Sequence, residues 1–204
     1  MALVAGVDSS TQSTTVELRD LESGGVVAVA SAPHPPTQPP RSEQAPDDWW
    51  NALVEAFAQL SAHAGDVAAM SIAGQQHGLV VLDRSDSPLR SAKLWNDTES
   101  APQAAELVDA IGADTWAQAC GSVPVASFTI TKLAWMVQHE PESVPSIARV
   151  MLPHDYLTFR LTGTHVTDRG DASGGGWFDA RQGVYRDDLL AVPSRASPPR
   201  EASP

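Results

Sequence analysis

Asp8 is followed by Ser9-Ser10-Thr11-Gln12-Ser13-Thr14, one acid and then an unbroken run of hydroxyl and amide side chains. Such a turn can aim backbone N–H groups and hydroxyls at one spot, which makes an anion-binding concavity. A carboxylate at its mouth suits Mg²⁺, which prefers carboxylate, water and phosphate oxygens. The same run also reads as an ordinary hairpin turn built from turn-forming residues.

Two further polar clusters invite chemistry. Gly74-Gln75-Gln76-His77-Gly78 offers amide donors and acceptors together with an imidazole. That inventory suits a polyol or sugar, and equally a polar turn with a solvated histidine. Trp95-Asn96-Asp97 sets an apolar plate beside an amide and a carboxylate. An aromatic face for C–H groups with polar atoms for O–H groups is a carbohydrate-type surface. A core tryptophan followed by an Asn-Asp helix cap fits as well. Asp168, Asp171 and Ser173 among glycines read as a hydrogen-bonded turn, since their spacing matches no cation loop. Cys120 has no thiolate-stabilising neighbour and reads as structural. There is no zinc spacing, nucleophile elbow, Walker A loop or Rossmann fingerprint.

The elements that carry these clusters follow from hydropathy. Strands are expected at 2–8, 13–20 and 25–32, as two successive hairpins. Residues 33–46 are proline-rich and should cross the surface without regular structure. A helix capped by Asp47 or Asp48 should run to about 64, with Trp49 and Trp50 on its core face. Strands are expected at 67–73, 79–82, 89–94 and 148–152, and helices at 98–111, 113–119, from 129 to Pro141, and 153–161. The glycine-rich stretch 167–176 reads as a loop. Alternating strands and helices give an α/β fold, a mixed sheet with helices on both faces, whose sites gather beyond strand ends. All three polar clusters lie at such ends.

The chain has 204 residues, 42% hydrophobic and 19% charged, with a net charge of −12. This suits a globular protein and argues against nucleic-acid or anionic-membrane partners. One cysteine permits no internal disulfide, and no leader or membrane span is evident, so a cytoplasmic protein is expected. Residues 1–190 read as one domain. The Pro/Ser/Ala/Arg-rich end, 191–204, reads as disordered and as a frame-shifted or artificial terminus.

The strings V-A-G-V-D-S-S-T-Q-S-T, S-I-A-G-Q-Q-H-G, L-W-N-D, T-K-L-A-W, H-E-P-E and L-P-H-D-Y-L-T-F-R-L-T-G, in this order, resemble the N-terminal part of the FGGY carbohydrate kinases over residues 3–190. The resemblance implies a ribonuclease H-like, actin-like ATPase domain, a mixed sheet flanked by helices. It implies transfer of the ATP γ-phosphoryl group to a sugar hydroxyl, with Mg²⁺. The Gly74–Gly78 string points to D-xylulose and xylulose 5-phosphate rather than glycerol. By this resemblance Asp8 sits at the Mg²⁺–phosphate site, and Thr11 and Ser13 line the phosphate turn. Gln76 and His77 contact the sugar, with Asn96 and Asp97 near it. Many family members carry a lysine where this chain has Thr15, so metal and backbone must neutralise more of the phosphate charge. The family's general base, an aspartate, and the adenine-binding domain lie beyond the resembling stretch. No turnover is therefore expected from this polypeptide alone. A non-catalytic sugar-binding or orphan fragment, a kinase for another ketose or polyol, and a homodimer of a full-length protein stay open.

Overall fold

The first strand is built on a two-residue alternation. In β1 (Leu3–Ser9), Leu3, Ala5, Val7 and Ser9 are buried while Gly6 and Asp8 are exposed. The computed structural model describes residues 2–196. β2 (Ser13–Asp20) and β3 (Val26–Pro33) follow antiparallel, as the two-hairpin reading requires. β4 (Glu43–Gln44) interrupts the proline-rich crossing, where no regular structure was expected.

Helix α1 (Pro46–Gln59) opens on a proline, whose missing N–H would have lacked an intrahelical partner anyway. Ala45, not Asp47 or Asp48, occupies the cap position, and the two acids lie in the first turn, where the helix dipole favours them. The helix ends at Gln59, short of the expected 64, and Ser61–Asp66 tightens into a 3₁₀ helix. β5 (Val67–Gly74) then pairs with β1 in parallel, giving one mixed sheet in the order β3-β2-β1-β5.

Further on come β6 (Val80–Leu82), β7 (Ala92–Lys93), α2 (Ala101–Ile111), α3 (Ala113–Cys120), α4 (Thr129–His139) and β8 (Arg149–Met151). Of the expected extended piece 89–94, only β7 is strand, and α2 starts three residues late. α5 (Pro153–Thr162) is followed by α6 (Arg169–Ala172), β9 (Phe178–Asp179), β10 (Val184–Tyr185), α7 (Asp187–Leu190) and α8 (Val192–Ala196). The loop expected at 167–176 therefore contains a short helix, capped by the Asp168 side chain, which accepts from the Asp171 N–H at 3.0 Å. Of the stretch 191–204, expected as disordered, the described part includes α8, in which Val192 is buried against Leu107, Ile130 and Ala134. Residues 197–204 lie outside the described residues.

The main core joins the buried side of the sheet to α1 and α5, through Leu3, Val7, Val16, Leu18, Trp49, Leu53, Tyr156 and Leu157. Both helices touch that side and each other, so the expected two-sided covering holds on one face only among the described residues. The other face carries Gly6, Asp8 and Val29 in the open. Trp49 is core as expected, Trp50 packs at its margin, and Cys120 is buried in a second cluster with Trp116.

Polar anchoring centres on Lys93, which is fully buried. Its Nζ lies 3.2 Å from Glu43, 3.2 Å from Asp97 and 2.6 Å from Glu99, and 3.9 Å above the Trp135 ring. Removing one partner from a buried charge network leaves the others uncompensated. Lys93→Met should therefore lower unfolding free energy by about 3–5 kcal/mol in urea titration. Arg41→Ala, which removes an exposed partner of Glu43, should cost below about 1 kcal/mol. Equal effects would contradict a Lys93-centred network.

Candidate active site

Asp8 and the Gly74–Gly78 cluster meet because β1 and β5 run side by side in the same direction. Asp8 pairs with Ala73 and Ser9 with Gly74, so both strands release their polar residues at one carboxyl end. Asp8, Ser10, Thr11, Gly74, Gln75, Gln76, His77 and Trp95 line one cavity of about 450 Å³. Cross-links close its floor. Gln75 Nε2 donates to the Ser10 carbonyl at 3.2 Å, and Thr11 Oγ1 donates to Gln75 Oε1 at 3.3 Å. The Trp95 indole N–H donates to Thr11 Oγ1 at 3.0 Å.

His77 is the most constrained of these residues. Its φ of 60° lies in the left-handed region, which costs a non-glycine residue on the order of 1–3 kcal/mol. Three contacts hold it there. The ring stacks on Phe128 with centroids 5.0 Å apart, Thr129 Oγ1 donates to the His77 carbonyl at 3.1 Å, and Nδ1 lies 3.0 Å from the Gly174 carbonyl. A carbonyl only accepts, so Nδ1 carries the proton and Nε2 becomes the ring's acceptor. Burial lowers the imidazole's pKa, outweighing the support from the Gly174 carbonyl, so the ring stays neutral near neutral pH.

The loop before Phe128 is itself pinned. Buried Lys132 donates to the carbonyls of Ala126 and Ser127 at 2.6 and 2.8 Å, and burial pulls its pKa down to about 7.

Not every expected residue reaches the cavity. Ser13 closes the turn instead: its carbonyl accepts from the Ser10 N–H at 3.0 Å, and its N–H donates to Ser10 Oγ. The Gln12 N–H also donates to Ser10 Oγ, so these amides face into the turn rather than toward a ligand. Asp97 is fully buried and does not line the cavity, accepting from the Ser42 and Glu99 N–H groups and pairing with Lys93. Asn96 faces a neighbouring cavity, on the other side of Thr11 and Trp95.

Gln75, Trp95 and Gly174 take larger parts than their local sequence suggested. The legible signal was the pair of glycines flanking the cluster. A Cβ on Gly74 would lie 2.8 Å from His154 Cβ, and one on Gly78 would lie 2.6 Å from Pro153 Cγ. The loop is thus seated on the Pro-His start of α5.

A Cβ on Gly174 would collide with Cε1 and Nδ1 of His77. Gly174→Ala should therefore expel the ring from Phe128 while changing stability by only about 1–3 kcal/mol. Loss of the ring-current shift on the His77 ring protons, by NMR, reports it; an unmoved ring would contradict the packing described.

Residues 3–197 match the model of the FGGY family of carbohydrate kinases, N-terminal domain. A xylulose kinase of Streptomyces coelicolor is 52% identical over 190 residues, covering 93% of this chain and 40% of that protein. One of Haemophilus influenzae is 40% identical, over 85% of this chain and 38% of its own length. The crystal structure of xylulose kinase from Bifidobacterium adolescentis superposes with a TM-score of 0.88 at 42% identity, covering 96% of this chain and 43% of that one. The chain spans about two fifths of the length of the curated relatives it matches first. The parallel-strand crevice, the ordered motifs and these likenesses agree: the chain belongs to the FGGY family of carbohydrate kinases.

Proposed function

We propose that this chain forms the sugar-binding and metal–phosphate side of an ATP-dependent kinase that converts D-xylulose to D-xylulose 5-phosphate in the cytoplasm. The observation that carries the reading is the shared crevice of Asp8 and Gln76–His77, set by the β1–β5 register. The relatives named xylulose kinase, at up to 52% identity, support the choice of sugar.

The donor set fits the ligands. Asp8 is an exposed carboxylate with room in front of it, as a Mg²⁺ ion that keeps most of its water requires. With the Ser10, Gln12 and Ser13 amides turned inward and Thr15 in place of a lysine, the cation carries most of the phosphate neutralisation. Thr11 Oγ1 stands beside the phosphate path, oriented by Trp95 and Gln75. His77 Nε2 accepts from a sugar hydroxyl, exposed Gln76 offers a donor and an acceptor, and Trp95 presents an apolar face to the sugar's C–H side.

Phosphoryl transfer asks mainly for positioning and charge neutralisation. When bound, Mg²⁺–ATP supplies the activated phosphoryl group. Its P–O bond to ADP breaks as the bond to the ketose oxygen forms, and the hydroxyl proton passes to a base. None of the eight lining residues is assigned that role, since Asp8 is committed to the cation and burial lowers the pKa of His77, which leaves its Nε2 a weak base. A polypeptide of these 204 residues should therefore bind the ketose and release no ADP.

Calorimetry with D-xylulose should show saturable binding, weakened about tenfold or more in His77→Ala and Gln76→Ala, as loss of one or two buried hydrogen bonds predicts. A coupled ADP assay should stay at background. D-ribulose, glycerol and gluconate in the same cell test the sugar, and a tighter fit to any of them would overturn the choice of xylulose. Absence of binding by all four would overturn the sugar site.

A further inference from the structure

His154, second residue of α5, lies outside the crevice, yet it is 7% exposed and ringed by acids. Its Nε2 is 3.0 Å from Asp155 Oδ1 and 3.0 Å from Asp168 Oδ2, and its Nδ1 is 3.0 Å from Asp171 Oδ2. A neutral imidazole has one proton and one lone pair. Nδ1 makes no aligned hydrogen bond to Asp171, so that contact is one of charge: with three carboxylates within 3.0 Å of the ring, the imidazolium is the form their charges favour, while a neutral ring would set the Nδ1 lone pair against the ionised Asp171. The spacing of these atoms could also hold a divalent cation. The charge of an imidazolium accounts for the same distances without one.

The clamp reaches His77 along the chain. Asp168 caps α6, Asp171 lies in its first turn, and three residues later the Gly174 carbonyl accepts the His77 Nδ1–H. On the other side, the His154 Cβ seats Gly74, where the loop that carries His77 begins.

We propose that His154, as an imidazolium bound by Asp155, Asp168 and Asp171, is a positioning residue that holds the 168–174 segment in place and thereby sets the tautomer and direction of His77. The effect on sugar binding rests on the function proposed above; the coupling of the two rings does not.

The charged and titratable groups around the ring are Asp155 from α5, and Asp168 and Asp171 from α6 and its cap. Asp171 also faces His77, and Tyr185 faces Asp155. Burial alone would lower the His154 pKa, but the hydrogen bond and charge of Asp155, then Asp171 and Asp168, raise it above the ordinary imidazole value. The sign follows by linkage. The clamp is complete below about pH 6.5, the unfolded imidazole value, and is lost as pH rises through the higher folded value. His77 moves oppositely: its pKa is lowered, so its Nε2 acceptor is lost only on acidification.

Long-range ¹H–¹⁵N spectra of the ligand-free chain from about pH 5 to pH 9 test the coupling. His77 should hold the Nδ1–H form while His154 is charged, then shift toward the Nε2–H form with the midpoint of the His154 titration. Asp168→Asn, at a side chain 61% exposed, should lower that midpoint. His154→Gln should abolish the transition and mix the His77 tautomers at every pH; if it does not fold, Asp168→Asn carries the test. D-xylulose affinity should fall about tenfold across the same midpoint, as loss of one oriented hydrogen bond predicts. A His77 tautomer indifferent to the His154 titration, or a His154 that titrates below the ordinary value, would overturn the proposal. Coupled rings without sugar binding would uphold the clamp and overturn the sugar reading.

Discussion

Parallel pairing of β1 with β5 is the constraint on which the site depends. Asp8 is local to the first hairpin, and His77 lies almost seventy residues later. Only the register Asp8–Ala73 and Ser9–Gly74 brings them to one rim. A one-residue slip would turn Asp8 from the open face into the core, since neighbouring strand residues point to opposite faces. Leu3, Ala5 and Val7 prevent that slip by packing against α1 and α5. The hydrophobic core therefore decides where the carboxylate points.

A second layer of order acts on the imidazole. The left-handed backbone at His77 persists because Phe128, Thr129 and Gly174 hold the residue from three directions. These come from two separate segments, each tied down by a buried basic side chain: Lys132 under the 126–127 carbonyls, and His154 beside Asp168 and Asp171. Such over-determination is what lets strain survive at a site. It also sets the chemistry of the ring, since the Gly174 carbonyl chooses which nitrogen keeps the proton.

Local pattern carried most of the fold. The strands of the first sheet and helices α3, α4 and α5 fall where alternation and helical spacing put them. The misses are equally physical. The cap position of α1 falls on Ala45 because Pro46, with φ pre-set for the first helical position, starts the helix one residue before Asp47. The helix in 169–172 hid among glycines, and it forms through an Asp168 cap that tertiary contacts with His154 support. In the site, Asp8, Thr11, Gln76 and His77 were legible as polar residues at strand ends. Ser13, Asn96 and Asp97 shared that signature, and only the three-dimensional arrangement separates a turn closure, a neighbouring cavity and a buried partner of Lys93 from the crevice. Gly174 was illegible as a partner of His77, because that contact joins residues far apart in sequence.

The central claim is that metal and ketose share one crevice. Paramagnetic relaxation by Mn²⁺, standing in for Mg²⁺, measures this on the chain mixed with D-xylulose. The account predicts broadening of the bound sugar's C–H resonances and of the His77 ring, both abolished by Asp8→Asn. Binding of the sugar and of Mn²⁺ with neither set of resonances broadened would place the two ligands apart and contradict it.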